Sequence, residues 1–173
     1  MKKVLLMVLA FTSITMVMAQ NTTGTDTATV KKDVYKYDMG QVGYARDAAC
    51  NGAYLGFLKG LSVWKELTFD CGFRAGWRML SYPMGDLHFM ELKVPIGLGY
   101  VISLGKEGAL IPRTGANLGA IMSLSSDGDT RFAMGWDVGA ILKLNKKFYL
   151  TYEYTIGITG QGDEHHAGIG IKF

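Results

Sequence analysis

The sequence predicts an all-β protein: an eight-stranded antiparallel up-and-down transmembrane β-barrel with a filled polar lumen. Three observations lead there. From residue 35 onward the 173-residue chain is built of runs that alternate apolar with polar or glycine, a period of two that belongs to strands. In these runs the apolar face is continuous, while the opposite face is largely glycine with a few large charged residues. The last run, "HHAGIGIKF", keeps the alternation to the end and stops on an aromatic residue.

The opening "MKKVLLMVLAFTSITMVMAQ" has the form of a secretory signal peptide over residues 1–19: basic Lys2 and Lys3, an apolar stretch from Val4, and small-residue spacing before Gln20. Thr12, Ser13 and Thr15 interrupt it, so it falls short of the ~20 apolar residues of a spanning helix. No cysteine stands at the cleavage point, which argues against a lipid anchor. Residues 20–34, "QNTTGTDTATVKKD" and Val34, are polar and free of aromatics, as expected of a disordered periplasmic tether.

Residues 35–173 then read as one barrel domain. Strands are expected at about 35–46, 51–61, 66–81, 87–104, 108–123, 131–144, 147–160 and 163–173, separated by "RDAACN", "SVWKE", "YPMGD", "GKEG", "SSDGDT", "NKK" and "GQGDE". The strand from Leu87 sets Met90, Leu92, Val94, Ile96 and Leu98 against Glu91, Lys93, Pro95, Gly97 and Gly99. The strand from Arg131 sets Phe132, Met134, Trp136 and Val138 against Ala133, Gly135, Asp137 and Gly139. The strand from Phe148 sets Leu150, Tyr152, Tyr154 and Ile156 against Tyr149, Thr151, Glu153 and Thr155.

A soluble sandwich or barrel would turn the apolar face inward and cover the other with Lys, Glu and Thr. Glycine, at Gly72, Gly76, Gly97, Gly99, Gly115, Gly119, Gly135 and Gly139 among others, makes a poor solvated surface and leaves backbone uncovered. It suits the crowded interior of a small barrel whose apolar face meets lipid. Short turns at "GKEG" and "NKK" place both termini in the periplasm. Aromatics then fall at two levels: Trp77, Trp136 and Phe132 towards the outside, and Phe69, Tyr100, Phe148 and Phe173 towards the periplasm.

The runs "GAYLGFLKGLSVWKELTFDCGFRAGWRM", "LHFMELKVPIGLGYVI", "GANLGAIM", "GWDVGAILKL", "FYLTYEYTIGI" and "HHAGIGIKF" resemble the small outer-membrane β-barrel domain family of Bacteroidota, the PorT-like or porin-family barrels, over residues 35–173. The resemblance implies an outer-membrane location, and implies that Phe173 acts as the assembly signal read by the barrel-assembly machinery during insertion. One departure is local. Family members often carry an acid two residues before the fourth-strand proline, where this chain has Lys93 before Pro95 and Glu91 two residues earlier.

The candidate site is a luminal charge network of Asp70, Arg74, Arg78, Glu91, Lys93, Arg113, Asp137, Lys143, Glu153 and Lys172, with Asn117. An eight-stranded interior is just wide enough to be filled by side chains, and charges there must pair. A salt-bridged plug is therefore expected rather than a large open pore. "GDEHH" invites a metal reading, but adjacent strand residues point to opposite faces, so His165 and His166 do not converge on one ion. Solvated loop chemistry is expected for Asp163, Glu164 and the histidines. Ser125 or Ser126 with His166 and Glu164 is the one nucleophile set to weigh; nothing in the spacing aligns it, and no enzyme and no cofactor are expected.

Without Lys2 and Lys3, the 18 basic residues become 16 against 15 acidic, so the exported chain is nearly neutral and nucleic acid is not its partner. The expected partners are outer-membrane lipid and an envelope protein, with the chain itself a monomer. Short outer loops argue against an adhesin or receptor. Cys50 and Cys71 are placed on neighbouring strands about five residues out of register, beyond disulfide reach, so two free thiols are expected. The functional expectation is a structural or accessory envelope role, with a small-solute channel or an accessory subunit of a secretion or assembly complex as alternatives.

Overall fold

The computed structural model describes residues 35–83, 85–125 and 128–173. The predicted signal peptide and tether lie outside the described residues, as does Ser126. The strands are β1 (Tyr35–Arg46), β2 (Cys50–Trp64), β3 (Leu67–Tyr82), β4 (Gly85–Tyr100), β5 (Ile102–Leu104), β6 (Gly108–Ser123), β7 (Thr130–Lys143), β8 (Phe148–Thr159) and β9 (Glu164–Lys172). Among the described residues there is no helix.

Consecutive strands pair antiparallel except β4 and β5, which both pair with β6, and β1 also pairs with β9. The sheet therefore closes on itself, and the fold is an eight-stranded up-and-down barrel in which β5 continues β4. The fourth predicted strand is broken at Val101, whose N–H donates to the carbonyl of Glu66 at 2.9 Å. Closure removes both sheet edges, which otherwise leave a row of unpaired backbone groups. The connections sort into two ends. Lys65–Glu66, residues 105–107 and residues 144–147 form the turn end, which also holds the C-terminus; the β1–β2, β3–β4, β6–β7 and β8–β9 connections form the loop end.

Burial follows the alternation. Glu91, Lys93, Pro95, Gly97 and Gly99 of β4 are buried while Met90, Ile96, Leu98 and Tyr100 are exposed. In β8, Tyr149, Glu153 and Thr155 are buried while Leu150, Tyr152 and Ile156 are exposed. Trp77, Trp136, Phe132, Tyr100, Phe148 and Phe173 all lie on the outer face. Inward glycine lets the walls approach: Gly97 and Gly115 face each other across β4 and β6, and a Cβ on Gly115 would sit 2.5 Å from the Gly97 Cα.

The interior is not polar throughout. Tyr37, Met39, Leu58, Ala109, Ile111, Ile141 and Tyr149 form a buried apolar cluster, with Val101 packed against it. Most of these residues belong to the turn-end halves of their strands. The glycine-and-charge pattern pointed to a polar lumen, because the apolar members are spread one or two per strand and break no alternation.

Candidate functional site

Inward side chains of seven strands converge into three polar clusters. Towards the loop end, Arg78 of β3 reaches Glu91 of β4 at 2.7 Å through Nε, Asp47 at 3.0 Å, and Glu164 of β9. Lys93 of β4 sits between two carboxylates, 2.8 Å from Glu91 and 2.7 Å from Glu164. The Glu164 carboxylate also lies 3.0 Å from His166 Nε2, and His166 packs edge-on against Tyr54.

Deeper, Arg113 of β6 donates to both oxygens of Asp70 on β3, at 2.6 and 3.2 Å, and also bridges to Glu153 of β8. Arg74 of β3 pairs with Glu153 at 2.8 Å and lies 4.9 Å from the centre of the Tyr54 ring. The Tyr37 hydroxyl donates to Asp70 at 2.8 Å. On the third wall, Asp137 of β7 accepts from the Thr155 hydroxyl at 2.7 Å and from Asn117. Gln161, from the β8–β9 connection, reaches in to donate to Asn117 at 3.2 Å.

Thus Asp70, Arg74, Arg78, Glu91, Lys93, Arg113, Asn117, Asp137 and Glu153 are all buried inside the ring. Lys143 is half-exposed and Lys172 exposed at the turn end. They share the inward parity but lie where the strands run out, so they stand apart from the buried set.

The expectation for "GDEHH" is corrected. Glu164 and His166 are buried members of the network, because β9 starts at Glu164 and its first inward position already lies within the ring. Parity places both residues on the inner face; the missing signal was where the loop stops. Ser125 does not join them: its hydroxyl pairs with Ser123 at 2.8 Å. Among the described residues there is no cluster of metal-ligating side chains.

The lumen is consequently filled. A cavity of about 10 Å³ remains beside Gln41, Tyr54, Arg74 and Glu153, room for about one water molecule. Ion pairs across a filled interior fix the ring's shape, because removing a partner leaves buried charge uncompensated.

No family model matches this sequence, and no curated protein matches it. Among solved structures, the chain is similar to the attachment invasion locus protein Ail of Yersinia pestis, at 14% identity over 79% of this chain and 97% of that one, with a TM-score of 0.46. It is similar to Neisserial surface protein A, at 14% identity over 79% and 96%, TM-score 0.48. It is also similar to the N-terminal β-barrel domain of OprF of Pseudomonas aeruginosa, at 13% identity over 80% and 99%, TM-score 0.45. The barrel rests on the strand register itself, independently of these resemblances.

Proposed function

We propose that this chain is an exported integral outer-membrane β-barrel with a structural or accessory role in the envelope and no large open pore. One observation carries the reading: the barrel is inverted relative to a soluble protein. Paired charged side chains occupy much of its interior, beside one apolar cluster, while Val42, Leu55, Leu98, Val138, Leu150, Ile156 and Ile169 stand exposed around its circumference. An apolar surface that encircles a protein is far larger than the patches soluble monomers expose, and lipid is the medium that covers it.

The exposed Trp77, Trp136, Phe132, Tyr100, Phe148 and Phe173 support interfacial girdles. The signal-peptide form of residues 1–19 and the resemblance to PorT-like barrels support export and insertion, with the turn end and both termini in the periplasm and Phe173 as the assembly signal. The filled lumen supports a plug over a channel, and nothing in the network is arranged as a nucleophile with its base, which favours a non-enzymatic role. The working state is a monomer whose partners are lipid, the assembly machinery during insertion, and an envelope protein.

Heat-modifiable gel mobility in a purified outer-membrane fraction tests insertion, and planar-bilayer conductance tests the plug. The expected results are a mobility shift and no stable conductance, with openings appearing when Arg74 and Arg113 are both replaced by Ala. A soluble periplasmic protein would overturn the membrane reading; steady conductance by the unaltered chain would make it a small-solute channel.

A further inference from the structure

On the outer face at the loop end, β1, β9 and β8 form an open groove of about 550 Å³ whose lining includes Tyr44, Arg46, Tyr154, Asp163, His165 and Ala167. The strand register arranges it in three levels. At the top, Arg46 faces His165, which in turn faces Tyr154. One rung below, Ala167 lies between Tyr44 and Tyr152, so a missing side chain leaves a slot between two rings. Below that, Val42, Ile169 and Leu150 form an exposed aliphatic ladder.

Most polar groups of this groove are occupied by one another, and Arg46 is the exception. Asp47 accepts from the Ala49 and Cys50 N–H groups and pairs with Arg78. Asp163 accepts from the Gly157 N–H at 2.9 Å and the Tyr154 hydroxyl at 2.8 Å. The Tyr44 hydroxyl donates to Asn51. The His165 Nδ1 is taken by the Tyr152 hydroxyl at 2.8 Å, which leaves Nε2 open. Among the described residues the exposed Arg46 side chain has no ion pair or hydrogen bond. The open group is the Arg46 guanidinium, and it stands directly above an aromatic slot and an aliphatic ladder, with the Asp163 carboxylate held aside by the Gly157 N–H and the Tyr154 hydroxyl.

We propose that this groove binds one phosphate-bearing anionic lipid of the surrounding leaflet, with the phosphate on Arg46 and His165, the lipid's backbone between Tyr44 and Tyr152 over Ala167, and an acyl chain along Val42, Ile169 and Leu150. Arginine suits the headgroup because its planar fork gives two parallel, charge-assisted bonds to phosphate oxygens. The inference rests on the membrane reading above, since it places the ladder in lipid.

Native mass spectrometry of the full chain, released from detergent after incubation with phosphatidylglycerol, reads the bound lipid directly. Diacylglycerol of the same chains and free glycerol phosphate serve as the two half-ligands. One phosphatidylglycerol adduct is expected. It should fall about tenfold in Arg46→Ala, the worth of a charge-assisted bond, and less in His165→Ala. It should be unchanged in Lys146→Ala, which removes an exposed cation at the turn end. Equal retention of diacylglycerol, displacement of the lipid by glycerol phosphate at matched concentration, or wild-type binding by Arg46→Ala would each overturn it. A chain that inserts into phosphatidylglycerol vesicles with a heat-modifiable band but keeps no adduct sinks this inference alone, whereas a chain that never inserts sinks the membrane reading with it.

Discussion

Lys93 Nζ and Glu164 Oε2 meet at 2.7 Å across the full width of the barrel. Their strands, β4 and β9, stand four places apart in either direction around the ring, so the bond spans a diameter. Arg74 and Glu153, on β3 and β8, form a second diametric tie. Such ties resist ovalisation of a closed sheet in a way that neighbouring-strand pairs do not.

Glu164→Gln removes the acid that Arg78, Lys93 and His166 share. Breaking one partner of a buried ion pair costs about 3–5 kcal/mol, and urea unfolding followed by tryptophan fluorescence should show a loss of that order. Adding Lys93→Met to Glu164→Gln should recover part of it, since the cation left with Glu91 as its one remaining carboxylate is gone while Arg78 still pairs with Glu91. A double-mutant cycle with no coupling would deny the pair its role.

Asp137 should behave in the opposite sense. It is fully buried and has no cation partner among the described residues, being held only by Asn117 and Thr155. Asp137→Asn removes an uncompensated charge but keeps an oxygen for those donors, so it should be neutral or stabilising in the same unfolding assay. A loss as large as that of Glu164→Gln would mean that the carboxylate has a further partner.

Parity alone located this site, and parity alone has limits. The alternation gave the strands and put Asp70, Arg74, Arg78, Glu91, Lys93, Arg113, Asp137 and Glu153 on one face, because a period of two leaves no freedom once one face is assigned. It could not say how far along each strand the inner face stays buried. Lys143 and Lys172 have the right parity and the wrong depth. Glu164 has the right parity too, but looked like loop because glycine and acid precede it. The apolar cluster around Tyr37 and Tyr149 was illegible for another reason: its members come from distant strands, and only closure of the ring brings them together.

Two glycines should respond differently to a methyl group. At Gly115 the added carbon would meet backbone, the Gly97 Cα at 2.5 Å and the Ile96 carbonyl, and backbone in a closed ring has nowhere to go. Gly115→Ala should therefore cost about 1–3 kcal/mol, the usual range for overpacking. At Gly40 the obstacle is the ring of Phe173, 2.6 Å away at Cζ, a terminal side chain that can swing aside. Gly40→Ala should change stability by under about 0.5 kcal/mol. If that ring contact matters for assembly, Gly40→Ala should slow insertion into vesicles while leaving the folded state intact.

Asp163 sits in the loop after β8, outside the spanning strands. The Gly157 N–H, and then the Tyr154 hydroxyl, hold its carboxylate below the ordinary value of 3.8. A depressed carboxyl stabilises the folded loop above the unfolded aspartate range and loses that contribution as pH falls through the folded value. A carbonyl NMR titration should place its midpoint below 3.8, and Tyr154→Phe should raise it. A midpoint at the ordinary value would show that the loop is not pinned in solution.

The two cysteines test orientation as well as fold. Both are free: Cys50 faces Leu80 across β2 and β3, whereas Cys71 faces Lys59. That is nine residues of offset where about five was expected, or roughly 30 Å at the rise of a strand, far beyond disulfide reach. A non-reducing gel should therefore show no internal bridge. Cys50 begins β2 at the loop end, while Cys71 lies on the outer face within β3, beside the exposed Ile96. In intact cells a membrane-impermeant maleimide should label the wild type and Cys71→Ser but not Cys50→Ser, and Cys71 should react only after denaturation. Labelling of Cys50 that requires permeabilised cells would put the loop end in the periplasm, inverting the barrel and placing the Arg46 groove in the inner leaflet.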